Sequence, residues 1–358
     1  MGLSMPRVSS PMWPMLCLLL FTTPAALADA PRTGNYQTTF DQTTPLAGGV
    51  EIFKRMLHPL AYEREMARYL PPEEQVIDPT KEHWQVYVPE DYDGSTPYGV
   101  LVWVAPWDVL GIPPGWQSLL KAHHLIYVSA GNSGNDQSVP MRRVPLALTG
   151  LVNIEARYNT DPARLYIAGF SGGGITASVM AAAYSDLFTG GMFVSDSDGL
   201  GTENEPVPLL ERFKLMQGRG RYVFLVGTED AINEGVINQA SSAYVDHCVL
   251  RVRKLSMLNE GHRDVSARYL SSALNYLDSP PDIKPETQAA CEQKLQARRA
   301  DAIAEVRAAL AADDADKAKA RLVDLQMVFG PLAEPEFDQL SVCISGTAPL
   351  HTCAAGSP

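Results

Sequence analysis

The chain has 358 residues, 46% hydrophobic and 20% charged, with 27 glycines and 27 prolines. That is an ordinary globular composition, with enough length for a large core in one domain or two. Its net charge of −12 does not favour phosphate backbones, so nucleic acid is excluded as an expected partner.

Residues 1–28 read as a secretory signal peptide. Arg7 supplies a weak positive start, Met12 to Phe21 is mostly apolar, and Ala26-Leu27-Ala28 is an A-x-A cleavage signal. The apolar run is about ten residues, too short to span a bilayer. No later segment is long and apolar enough either, so no stable membrane insertion is expected. Cys17 lies inside the apolar run, before Leu18-Leu19-Leu20, which does not suit a lipid anchor at a cleavage site. Cleavage after Ala28 removes Arg7 and no acid, leaving the mature chain more acidic. The product is expected in the periplasm or outside the cell. There the four remaining cysteines, Cys248, Cys291, Cys343 and Cys353, are expected to form two disulfides in one of three connectivities. Cys343 and Cys353 are near enough in sequence to close a small loop. No CxxC pair exists, so zinc or thioredoxin-like chemistry has no support.

Residues 29–75 are expected to form a short strand and two helices on a sheet edge. Strand-like runs then recur. His83–Pro89 alternates and is aromatic, whereas Tyr98–Ala105, Leu125–Ser129, Leu165–Ala168 and Tyr222–Val226 are nearly all apolar. Such continuous runs suit strands buried on both faces of a parallel sheet. Helical patterns lie between them at Pro145–Tyr158 and Thr176–Phe188, and a further one at Val265–Leu277 follows the strand-like Val249–Leu258. Alternation of this kind predicts an α/β fold, a mostly parallel sheet flanked by helices, over residues 29–280. Asp278–Pro285 reads as a linker. Residues 281–358 form a C-terminal extension: Ile303, Val306 and Leu310 share one helical face and Leu322, Leu325 and Phe329 another, with a turn at Asp313–Asp316 and a stop at Gly330-Pro331. This predicts an antiparallel helical pair, a brace for the larger domain or a protein-contact module.

Gly169-Phe170-Ser171-Gly172-Gly173 is a G-x-S-x-G pattern between an apolar strand and a helical stretch. A serine there sits on a tight strand-to-helix turn, and glycines two before and two after it avoid collision with neighbouring backbone. The Gly172 N–H then points at an oxyanion that would develop on an attacked carbonyl, beside a helix N-terminus that favours negative charge. A serine hydroxyl needs a base. His262, in Asn259-Glu260-Gly261-His262 after the strand-like Val249–Leu258, is the well-placed histidine. His247 lies at the wrong end of that strand, His58, His83, His123 and His124 precede the serine, and His351 is in the tail. The histidine needs a carboxylate to fix its tautomer. Asp230, after Tyr222–Val226, is the preferred acid, with Glu229 its neighbour and Asp196 or Asp198 the alternative location. A second oxyanion donor is expected after Tyr98–Ala105; Pro106 has no N–H, which leaves Trp107. Asn132, on the loop after Leu125–Ser129, is a candidate substrate contact.

These residues together resemble the α/β-hydrolase superfamily over about residues 35–280. Within it they resemble the secreted polyhydroxybutyrate-depolymerase and feruloyl-esterase-like serine esterases. The carriers are VYVPEDYDGSTPYGVLVWV at 86–104, RLYIAGFSGGG at 164–174, FLVGTED at 224–230 and NEGH at 259–262. The resemblance implies a Ser171–Asp230–His262 triad and hydrolysis of small-molecule or polymeric esters. Acyl transfer of this kind needs no metal and no cofactor. It needs neutral His262, so activity is expected to fall at acid pH. Two departures bear on the substrate: Ala105-Pro106-Trp107 stands where the family usually has a His-Gly pair, and the simple esterases have no counterpart to the helices beyond residue 285. A serine peptidase on the same fold, with Arg142 or Arg143 binding a substrate charge, is the first rival. A non-catalytic exported binding protein is the second. Acyl and alcohol specificity and oligomeric state stay open at the level of sequence.

Overall fold

Eight strands make one sheet in a computed structural model that describes residues 1–2, 31–57, 62 and 76–344. The expected signal peptide, the region of the second edge helix and Cys353 lie outside the described residues. The sheet and its helices belong to the unit that begins at Pro31. The strands are β1 (Gly34–Thr38), β2 (Trp84–Val88), β3 (Tyr98–Val104), β4 (Leu125–Ala130), β5 (Thr160–Phe170), β6 (Gly190–Val194), β7 (Arg221–Gly227) and β8 (Val252–Met257). Their order is β1-β2-β4-β3-β5-β6-β7-β8. β2 pairs antiparallel with β1 and β4, and every pair from β4 to β8 is parallel. This is the α/β-hydrolase fold.

The apolar runs explain the layers. Every residue of β2, β3, β4 and β6 is buried. Along β3, Val100, Val102 and Val104 enter one core while Leu101 and Trp103 enter the other, the period-two alternation of a strand covered on both faces. The first face is covered by α1 (Gly49–Met56), α3 (Val144–Arg157), α4 (Gly172–Ala183), α5 (Leu210–Arg219) and α6 (Ala231–Asp246). The second is covered by α2 (Trp116–Ala122) and α7 (Ala267–Asp278). The central sheet therefore carries all its parallel strand ends, and the loops that follow them, to one rim.

Among the described residues the C-terminal extension has three helices, one more than the expected pair: α8 (Pro285–Ala311), α9 (Ala315–Phe329) and α10 (Glu334–Ile344). Gly330 ends α9 at φ 49°, and a short turn over Gly330–Ala333 restarts the chain as α10. Pro335 does not prevent this, because the first turn of a helix needs no N–H there. Phe337 and Leu340, one turn apart, anchor α10 in the first core beside Leu322, Leu325 and Phe329. The extension and the hydrolase helices share that core. A disulfide between Cys248 and Cys291 ties the end of α6 to α8. Cys343 is disulfide-bonded as well. The Cys248–Cys291 bridge spans 43 residues, a loop long enough for closure to matter. Replacing both cysteines by serine is expected to lower the unfolding free energy by about 2–4 kcal/mol, read as a lower urea midpoint. An unchanged midpoint would contradict a stabilising bridge.

Candidate active site

Strand β5 ends at Phe170 and α4 starts at Gly172, so Ser171 makes the whole connection. Its N–H donates to Val194 O at 2.8 Å, extending the β5–β6 ladder by one residue. Its backbone is then bent to φ 54°, ψ −129°, a conformation that costs a non-glycine residue roughly 1–3 kcal/mol. The turn has no room for neighbouring side chains. A Cβ on residue 169 would lie 2.1 Å from Gly173 O, and one on residue 173 would lie 2.0 Å from Val104 O. Gly172 opens α4, where N–H groups have no partner within the helix. The carboxamide of Asn135 lies directly against it: a Cβ on residue 172 would meet Asn135 Oδ1 at 2.2 Å.

The loops after β7 and β8 are interlocked through backbone. Glu229 N–H donates to Glu260 O at 2.9 Å, and Asn259 N–H donates to Thr228 Oγ1 at 2.9 Å. Gly227 permits the approach, since a Cβ there would stand 2.0 Å from Glu260 O. This brings residues 32 apart in sequence into contact: His262 Nδ1 is 2.8 Å from Asp230 Oδ2. On its other side His262 Nε2 is 3.0 Å from Ser171 Oγ. Asn233 Nδ2 donates to Asp230 Oδ1 at 2.9 Å, so both carboxylate oxygens have a donor. Burial acts to raise the Asp230 carboxyl, but the bonds from His262 and Asn233 and the nearby imidazole outweigh it and hold the group below its usual value. The Asp230 side chain is 5% exposed while that of His262 is 42% exposed; the acid is sheltered and the imidazole faces the rim. Phe170 packs against the His262 ring, centroids 5.0 Å apart, and Trp107 packs on Phe170 at 6.0 Å.

The other expected residues divide. Trp107 is on the rim, half-exposed, and its N–H has no hydrogen-bond partner among the described residues. Asn132 is exposed; its N–H bonds Asp108 O and its carbonyl accepts from Arg142 Nε. The amide brought against the elbow is that of Asn135, three residues further on. Asp196 accepts from Ser197 N–H at 2.9 Å, and burial raises its carboxyl. Asp198 is bonded by Asn204 at 3.3 Å. Neither contacts His262 by a hydrogen bond. Arg142 forks onto Glu82 at 2.8 and 3.0 Å, and Arg143 is buried among backbone carbonyls. Asn135, Asn233 and Arg143 carry no local motif; Asn233, one helical turn after Asp230, was the most accessible to spacing arguments. Among the described residues no cluster of His, Cys, Asp and Glu is arranged to hold a metal, and no helix is long and apolar enough to cross a membrane.

No family model matches the sequence, and no curated protein does. Among solved structures the chain is similar to S-formylglutathione hydrolase from Staphylococcus aureus, at 13% identity over 55% of this chain and 92% of that one, with a TM-score of 0.41. It is similar to a ferulic acid esterase at 15% identity over 67% and 95% of the two chains, TM-score 0.44. It is also similar to dipeptidyl peptidase 4 from Porphyromonas gingivalis, at 16% identity over 56% of this chain and 34% of that one, TM-score 0.40.

Proposed function

We propose that the protein is an exported serine hydrolase that cleaves carboxylic esters through an acyl-enzyme on Ser171. One observation carries the reading: an unbroken path from the Ser171 hydroxyl through both His262 nitrogens to a sheltered Asp230, in steps of 3.0 and 2.8 Å. An ionised Asp230 accepts from Nδ1–H, which leaves the Nε2 lone pair facing the serine. Nε2 takes the Ser171 proton as Oγ attacks the ester carbonyl. The N–H groups of Gly172 and Trp107 bond the resulting oxyanion. The alcohol departs with the proton from Nε2. Water, deprotonated by the same nitrogen, then attacks the acyl-enzyme and releases the acid.

Two features favour an ester over a peptide. Trp107 and Val109 on the loop after β3, Ile232 in the first turn of α6 and Leu258 just after β8 are 40%, 74%, 85% and 63% exposed, apolar groups suited to an apolar acyl or alcohol group. Arg142 and Arg143, the cations that would recognise a peptide terminus, are engaged by Glu82 and by backbone. Export rests on the leader grammar of residues 1–28 and is supported by the Cys248–Cys291 disulfide. The test compares p-nitrophenyl esters with aminoacyl nitroanilides. Esters are expected to have a kcat/KM at least about a hundredfold higher; preference for the anilides would overturn the ester reading in favour of a peptidase.

A further inference from the structure

We propose that Arg143 is a positioning residue, whose guanidinium fixes the two loops bearing the oxyanion donors and places a permanent positive charge behind them. The inference rests on the reading of Ser171 as a nucleophile. Arg143 is 2% exposed and ends the helical turn Val139–Arg143 just before α3. Its Nη1–H donates to Gly172 O at 2.9 Å, its Nη2–H to Ala105 O at 3.0 Å and its Nε–H to Ser133 O at 2.9 Å. These carbonyls belong to three segments that follow three neighbouring strands. Gly172 is next to the nucleophile. Ala105 precedes Pro106-Trp107. Ser133 lies on the loop whose Asn135 N–H bonds Pro106 O at 3.0 Å and whose Asn135 carboxamide rests on Gly172. One planar group therefore sets the distance between the Gly172 and Trp107 peptides, the two that must converge on a single oxygen.

The charge is as telling as the geometry. Among the described residues no carboxylate is within ion-pair distance of Arg143. Burial pushes the guanidinium down to about 10, opposed by the more distant Asp108 and Asp136, so it stays cationic at neutral pH. A buried cation without a counter-charge is unfavourable. Neutral donors would satisfy the same carbonyls at lower cost. The negative charge that the reaction creates is the oxyanion, next to Gly172, and a fixed cation there favours the transition state over the bound ester.

Two substitutions in the full chain separate the parts. Arg143→Lys keeps charge but cannot serve three carbonyls from one plane; Arg143→Met removes both. Turnover is measured per active site, counted by fluorophosphonate incorporation, so that unfolded molecules do not contribute. Arg143→Lys is expected to lose about tenfold and Arg143→Met about a hundredfold in kcat per site, with KM within about twofold of wild type. Wild-type kcat per site in both variants, with only the melting temperature lowered, would make Arg143 a brace and overturn the proposal. So would a change confined to KM, or an Arg143→Lys protein that does not fold. Wild-type protein that neither takes up the probe nor hydrolyses esters would overturn the nucleophile reading itself, a result distinct from any of these.

Discussion

Replacing Ser171 by alanine is expected to abolish fluorophosphonate labelling and to lower kcat for ester hydrolysis by about 10⁵- to 10⁶-fold, because the proposed acyl intermediate forms on the hydroxyl held 3.0 Å from His262 Nε2. The fold should survive. The substitution removes one hydrogen bond, to His262 Nε2, worth about 0.5–1.5 kcal/mol, and leaves the backbone at φ 54°. Ser171→Gly supplies a sharper check. Glycine adopts positive φ without penalty, so this variant should be as inactive as alanine yet melt at a higher temperature, by roughly 1 kcal/mol of stability. Labelling of Ser171→Ala at the wild-type rate would remove Ser171 from the mechanism, and absence of labelling in folded wild-type protein would favour a binding protein that has lost turnover.

Asp230→Asn is expected to cost about 10³- to 10⁴-fold in kcat with little change in KM. The carboxylate accepts two bonds, from His262 Nδ1 and from Asn233 Nδ2. An amide has only one accepting end. Its NH₂ must face either Asn233 or His262, and facing His262 it selects the tautomer with the proton on Nε2, which cannot take the serine proton. Asp196→Asn and Asp198→Asn should each stay within about tenfold of wild type, since their carboxylates are bonded by Ser197 and Asn204. The reverse pattern would move the acid to the loop after β6. The same substitution should also flatten the acid side of the stability curve. The Asp230 pKa is lower folded than unfolded, so its contribution is present above the unfolded value of about 3.9 and is lost as pH falls through the folded one. Urea midpoints of wild type and Asp230→Asn should therefore differ most near neutral pH and converge below about pH 4.

How far the sequence carries depends on whether a constraint is local. Tyr98–Val104, Leu125–Ala130 and Arg221–Gly227 were legible because a strand buried on both faces must be apolar along its whole length. The elbow was legible because Gly169 and Gly173 are required by contacts within a few residues of the serine or with the strand beside it. The early start of β5 at Thr160 was hidden by Asp161-Pro162-Ala163-Arg164, which lacks an apolar pattern. The extent of strand β6, before Ser195, was hidden by Gly190 and Gly191, which weaken strand propensity yet pack between β5 and β7. Helix α10 was hidden because it begins only after the Gly330-Pro331 stop, where burial of Phe337 and Leu340 in the first core holds it.

The α/β order, the glycine-flanked serine and the chain order of serine, acid and histidine can be read from short windows of residues. Which acid meets His262, that Asn233 completes it, that Asn135 and not Asn132 lies on Gly172, and that Arg143 joins Gly172 and Ala105, 29 and 38 residues away, emerge from the folded chain alone. All but the Asp230–Asn233 bond, which lies within one helical turn, are contacts between segments that follow different strands. The register of the parallel sheet sets which loops are neighbours, and no periodicity within one loop records it.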